Sequence, residues 1–301
     1  MRWRDRLRRG PTVFVLSGGG NLGALQVGML RALTERDIKP DLVLGCSVGA
    51  LNGAAYAADP TVAGVDRLED LWLRLAGPDV MPAGRWLPST LQLAMKGESI
   101  HGNDGLREVI ERILRPTRFD QLRIPFQCVA TQLDPPAEVW FDDGDLHAAI
   151  LASAALPAVF PIVELAGHRY LDGGIANDIP ISRAAEVGAQ RAYVLNVGTL
   201  DRGFTEPKRP IDVALQALWL TRRLRYDEDR RLLGTRMDLH ILPFGTPPRT
   251  RYDDFSHTAE LITQAYAATA AHLDAAVGDE SNAAPPMPLE GRLGEVPRVQ
   301  P

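Results

Sequence analysis

Twice in its first sixty residues the chain passes from a short apolar run, through a glycine-rich turn, into a helical pattern. Residues 12–16 (TVFVL) read as a buried strand, followed by Ser17-Gly18-Gly19-Gly20-Asn21-Leu22-Gly23. Apolar residues then recur at Leu22, Leu25, Met29, Leu30 and Leu33, the spacing of a helix over 22–34. Residues 41–44 form a second short strand, Gly45-Cys46-Ser47-Val48-Gly49 the second turn, and 48–58 an alanine-rich helix. Strand, turn and helix alternating in this way specify an α/β sheet with helices on both faces. Further strands are expected at 125–131, 139–141, 162–165 and 192–197, and late helices at 211–233 and 255–273. In the last helix Phe255, Ala259, Ile262, Tyr266 and Leu273 share one face.

Composition limits what such a sheet can serve. With 301 residues, 45% of them apolar and 24% charged, the chain can build a core large enough to exclude water from a buried site. A net charge of −5 argues against a general nucleic-acid binder. The two cysteines, Cys46 and Cys128, read as small buried side chains; neither a disulfide framework nor a structural metal site is expected. Residues 1–11 form a basic arm, five arginines against one aspartate, suited to touching anionic lipid. No signal-peptide pattern follows it, and the longest nearly apolar stretch, 150–163, is broken by Pro157 and Pro161 and is too short to span a bilayer. A cytoplasmic location, peripheral at the membrane, is expected. Residues 12–277 are read as one domain and 278–301, with five prolines, as a disordered tail. Residues 78–105 carry Trp86, Leu87, Leu91, Leu93 and Met95 among prolines and glycines, and read as a packed subdomain or an apolar lid.

The second turn has the form of a nucleophile elbow. Gly45 and Gly49 let the backbone bend tightly around Ser47 and keep side chains away from a substrate, while the following helix points its first N–H groups at a developing oxyanion. Cys46, one residue before the apex, should point into the sheet. The first turn admits two readings. Amides at Gly18, Gly19 and Gly20 form an anion-binding concavity, suited either to a tetrahedral oxyanion or, since Gly18-x-Gly20-x-x-Gly23 also fits, to a dinucleotide pyrophosphate. The dinucleotide reading needs an acid at the end of the next strand to hold a ribose. Asp41 begins that strand instead, and the strand's end is occupied by Ser47.

A serine nucleophile needs a base. Of the six histidines, His257 and His272 fall in a helical pattern and His240 in a strand. His101, His147 and His168 belong to no recognisable catalytic pattern either. Asp172 fits better. It follows the run Arg169-Tyr170-Leu171, precedes Gly173-Gly174, and lies downstream of the apolar stretch LASAALPAVFPI. A carboxylate desolvated by such surroundings gains the basicity that an ordinary aspartate lacks.

At this point the sequence resembles a family. GGGNLG at 18–23, GCSVG at 45–49 and DGG at 172–174, in that order, look like the three signatures of patatin-like phospholipases, and ASAALP at 152–157 and NDIP at 177–180 are similar to further family segments. The resemblance implies a three-layer α/β/α sandwich with a mostly parallel central sheet. It implies lipid acyl hydrolysis by a Ser47–Asp172 dyad without histidine, an oxyanion hole from the amides of Gly18, Gly19 and Gly20, and no cofactor or metal. The chain departs at Leu22, where the family commonly has arginine or lysine. Two other classes remain open: a nucleotide-binding oxidoreductase using the first glycine turn, and a non-catalytic lipid-binding module, for which Leu22 is the hint.

Overall fold

The computed structural model describes residues 10–75, 77–80, 99, 102–197, 210–246 and 254–280. The basic arm up to residue 9, most of the 78–105 segment and residues 281–301 lie outside the described residues. The strands are β1 (Thr12–Leu16), β2 (Leu42–Cys46), β3 (Phe126–Gln132), β4 (Ala137–Phe141), β5 (Val163–Leu165), β6 (His168–Asp172), β7 (Arg191–Leu195) and β8 (Asp238–Ile241). The helices that matter below are α1 (Gly23–Glu35), α2 (Val48–Ala58), α3 (Val62–Arg74), α4 (Asp104–Ile113), α5 (Leu146–Ser153), α6 (Gly174–Asn177), α7 (Ile181–Glu186), α8 (Pro210–Leu233) and α9 (Thr258–Glu280).

All of these strands belong to one sheet. β1 lies between β2 and β7, β3 pairs with β2 and β8 with β7, and these five run parallel. β4 and β6 pair antiparallel with β3, and β5 with β6. Alternation along β1 sorts the two helical layers. Phe14 and Leu16 face a core built with α1, α2, α3, α4, α5 and α9. Val13 and Val15 face a second core, where Ile181 and Ala184 of α7 and Tyr226 of α8 cover the sheet. These four of the five β1 side chains are fully buried. At about 1.5–3 kcal/mol for each large apolar side chain, this central strand is a main contributor to the sandwich.

The three-layer sandwich with a mostly parallel sheet is the architecture expected. The helix over 48–58 has the expected bounds, and β2 runs on to Cys46, directly before Ser47. The last helix differs. It begins at Thr258, after Phe255, and continues through Glu280, past residue 278 where the tail was expected to start. Its buried face is Leu261, Ile262, Ala265 and Leu273, while Ala259 is exposed. Phe255 still packs inward, stacked on Trp72 at 6.2 Å between ring centres.

Candidate active site

Ser47 occupies the junction between β2 and α2, with φ 52° and ψ −121°. A left-handed φ at a non-glycine residue is strained, and the surrounding structure must hold it in place. Two helices, α2 and α5, do so. The Ser47 carbonyl accepts from the Ala50 amide at 2.8 Å, and its own amide donates to Ser153 Oγ at 3.0 Å. Gly49 is required here: a Cβ would strike the carbonyl oxygens of Leu16 and Ser17, so α2 could not approach the end of β1. Ser47 itself is half-buried, open on one side.

The position of Asp172 follows from the pairing of β3. β2 pairs with the first part of β3, ending at Cys46 opposite Val129, and β6 pairs with the last part, ending with Asp172 opposite Ala130. β4 runs along Cys128–Gln132 and overlaps both. A strand has two edges, so β2 and β6 share the remaining edge and meet end to end. The residue after Cys46 and the last residue of β6 therefore arrive at the same level. The helix α5 fastens this junction. Ser153, whose hydroxyl holds the Ser47 amide, accepts the Gly173 amide on its carbonyl at 3.1 Å, and Ala155 accepts the Asp172 amide at 2.9 Å.

The Asp172 carboxyl is almost completely buried. Its Oδ1 accepts from the Gly174 amide at 2.7 Å and from Arg222 Nη2 of α8 at 3.3 Å. Burial raises its pKa above the ordinary aspartate value, opposed by the Arg222 charge and by hydrogen bonds from the Ser47 hydroxyl and the Gly174 amide. Asp178, equally buried, lies with Oδ1 3.4 Å from Arg222 Nη1. Burial raises its pKa as well, with Arg222 opposing and Asp172 adding to the rise. Cys46 borders the same cluster, fully buried, its thiol held neutral by desolvation and by both carboxylates. It is no rival nucleophile at this elbow.

The glycine turn lies beside Ser47 on the other flank. A Cβ on Gly18 would stand 3.5 Å from Ser47 Cβ and 2.5 Å from Asp178 Oδ1, which only glycine avoids. A neutral polar network holds the turn from below. Gln26 Nε2 donates to the carbonyls of Ser17 at 2.9 Å and Leu195 at 3.1 Å, Asn52 donates to Gln26 Oε1 at 2.9 Å, and the Trp72 indole donates to Asn52 at 2.9 Å. The three amides of the turn are not equivalent. The Gly18 amide is committed to the Asp178 carbonyl at 3.2 Å. Among the described residues only the Gly19 and Gly20 amides of the three are without such a bond.

The other candidates stand elsewhere. His147 contacts the Pro116 carbonyl, His240 pairs with Asp238 and His257 with Glu260. Asp41 sits at the opposite end of the sheet, its carboxylate accepting the Thr12 amide at 2.9 Å, far from any ribose bound at the glycine turn. Among the described residues no group of three His, Cys, Asp or Glu is arranged to hold a metal ion.

Comparison with known proteins identifies the family. The profile of the family described as Patatin-like phospholipase matches residues 14–185. The chain belongs to the patatin-like phospholipase family. An uncharacterized NTE family protein of Mycobacterium tuberculosis is 31% identical over 221 residues, 70% of this chain and 54% of the relative. Patatin-like phospholipase domain-containing protein 7 of Rattus norvegicus is 29% identical over 189 residues, 62% of this chain and 14% of the relative. The chain thus spans about half, or far less, of the length of the curated relatives it matches. Among solved structures, VipD from Legionella pneumophila aligns over 90% of this chain and 68% of its own, at 14% identity and a TM-score of 0.45.

Within this patatin-like chain the matched segment contains the turn residues, Ser47 and Asp172, but ends before α8. Arg222 therefore lies beyond every sequence signature, and only the packing of α8 on α6 and α7 brings it to the site. Leu22, the departure from the family pattern, is buried in the main core, in a turn that lies against α1 and α9.

Proposed function

We propose that the chain is a serine lipid acyl hydrolase of the phospholipase A or lysophospholipase type, acting on fatty-acyl esters through Ser47 and Asp172. The observation that carries this reading is the end-to-end meeting of β2 and β6, which sets a strained, half-exposed serine against a desolvated carboxylate. Ser47 Oγ attacks the ester carbonyl carbon while its proton passes to Asp172. The negative charge that forms on the carbonyl oxygen is held by the amides of Gly19 and Gly20 and by the N-terminal turn of α2, whose first N–H groups have no partner within the helix. Asp172 then gives its proton to the leaving alcohol, and an acyl-serine remains. Water attacks the acyl carbon, loses a proton to Asp172, and the serine is regenerated with its proton as the fatty acid departs.

Several features support a substrate that arrives from a lipid surface. Ile175, three residues beyond Asp172, is 36% exposed, and α8 carries Val213, Leu220 and Leu224 at 53, 45 and 69% exposure. Apolar side chains exposed along one helix next to a hydrolytic centre suit peripheral contact with a membrane, in the cytoplasm on our reading. No helix among the described residues is long and apolar enough to cross one. The place of Asp41 leaves the dinucleotide reading without a ribose partner.

Ser47→Ala and Asp172→Asn are each expected to abolish turnover of a short p-nitrophenyl ester with the circular-dichroism spectrum unchanged. A fluorophosphonate probe is expected to label the parent protein and not Ser47→Ala. Full activity in Asp172→Asn would overturn the dyad. Incubation with a mixed lipid extract, followed by identification of the released acids and head-group products, names the substrate.

A further inference from the structure

The site contains more buried charge than a two-residue mechanism uses. Asp172, Asp178 and Arg222 are all at least nine-tenths buried, with side-chain exposures of 2, 2 and 9%. Arg222 spans the two carboxylates through separate nitrogens and also donates from Nε to the Gly174 carbonyl at 2.7 Å. Neither carboxylate oxygen of Asp178 receives a hydrogen bond among the described residues, although a side chain so deeply buried ordinarily would. Two carboxylates share one guanidinium, so the cluster carries a net charge of −1 when all three ionise. In a desolvated setting such charges interact far more strongly than in water.

We propose that Arg222 and Asp178 are positioning residues for the general base, acting as an opposed pair. Arg222 holds Oδ1 of Asp172 and favours the ionised base; Asp178 draws on the same guanidinium and disfavours it. The proposal rests on Asp172 being the base. The remaining groups facing Asp172 do not blur the effect. β2 offers Cys46, whose thiol is neutral, and β3 and α5 offer only the uncharged Thr131 and Ser153. Because Asp178 Oδ1 also lies against Gly18, the pair links the electrostatics of the base to the glycine turn on the far side of Ser47.

A tether that only holds α8 in place and an electrostatic pair differ in the pH profile. The experiment measures kcat and KM on a p-nitrophenyl ester across pH for the parent, Arg222→Gln, Asp178→Asn, the double variant and Arg222→Lys. Losing the cation raises the pKa of Asp172, so in Arg222→Gln the acidic limb of kcat/KM is expected to move up by about one pH unit or more, with kcat falling and KM little changed. Losing the neighbouring carboxylate does the reverse, and Asp178→Asn moves the limb down. The double variant, which removes one charge of each sign, returns the limb towards the parent. Arg222→Lys keeps the charge and hence the limb, but lowers kcat because the fork that fixes Oδ1 is gone. A limb that stays in place in both single variants, or moves the same way in both, overturns the proposal. If Arg222→Gln does not fold, Asp178→Asn and Arg222→Lys still read opposite features of it. Asp172→Asn separates the two levels: activity surviving there removes the dyad itself, whereas an inactive Asp172→Asn with unmoved limbs removes only the role of the pair.

Discussion

Two buried polar clusters flank Ser47, and they are built on opposite principles. Under the glycine turn, Trp72, Asn52, Gln26 and Ser17 form a neutral chain in which donors meet acceptors at 2.9–3.1 Å. Beside Asp172 the groups are charged, crowded around one guanidinium, and incompletely satisfied at Asp178. The neutral chain does what a fully paired network does best, fixing one backbone conformation at small electrostatic cost. The charged cluster holds groups in states that their own burial opposes, a cost accepted where protons must move.

The largest effect is expected at the serine that the two clusters flank. Ser47→Ala is expected to lower kcat at least about 10⁴-fold, read on a p-nitrophenyl ester, while urea unfolding shows a midpoint close to the parent. On the neutral side the order reverses. Gln26→Leu strips the Ser17 carbonyl of its donor and is expected to cost about 1–3 kcal/mol of stability, with the acidic limb of the pH profile unmoved. A shifted limb in that variant would dissolve the division between the two clusters.

A third test uses pH and stability together. A carboxyl whose pKa is raised by folding contributes stability below its ordinary pKa and loses it as pH rises through the raised value. Asp178 is such a group. Asp178→Asn is therefore expected to melt above the parent at pH 7, with the advantage shrinking towards pH 4; a constant difference across that range would remove the electrostatic explanation. The smallest effect is expected outside both clusters. Leu224→Glu, on the exposed face of α8, is expected to weaken binding to anionic vesicles about tenfold, in line with losing one buried leucine, while turnover of a water-soluble ester stays within about twofold.

Much of the site is legible in sequence because its parts are local. A strand ending in glycine turns is written in consecutive residues, so Ser47, Gly45 and Gly49 announce their geometry, as do Gly19 and Gly20. Asp172 is legible for the same reason, as a carboxylate between an apolar run and two glycines. What escapes is whatever depends on packing between distant segments. Gly18 looks like its neighbours until the chain beyond Asn177 returns to occupy its amide. Arg222 stands among several arginines of α8 that look alike in sequence, and it is distinguished only by pointing at two buried carboxylates. Gln26 reads as a polar interruption of an apolar helix, and its purpose appears only once Ser17, Leu195 and Asn52 surround it.

The end-to-end meeting of β2 and β6 also has a consequence in time. Ser47 and Asp172 are 125 residues apart in the chain and become neighbours only when both strands have found the same edge of β3. Contacts of such sequence separation form late, after local strand–helix units are in place. During synthesis, which proceeds from the N-terminus, the elbow can exist long before its base has emerged. With Asp172 as the proposed base, an incomplete chain holds a serine without its proton acceptor until β6 has joined the sheet. On the proposed reading, that ordering denies ester hydrolysis to every unfinished copy of the chain.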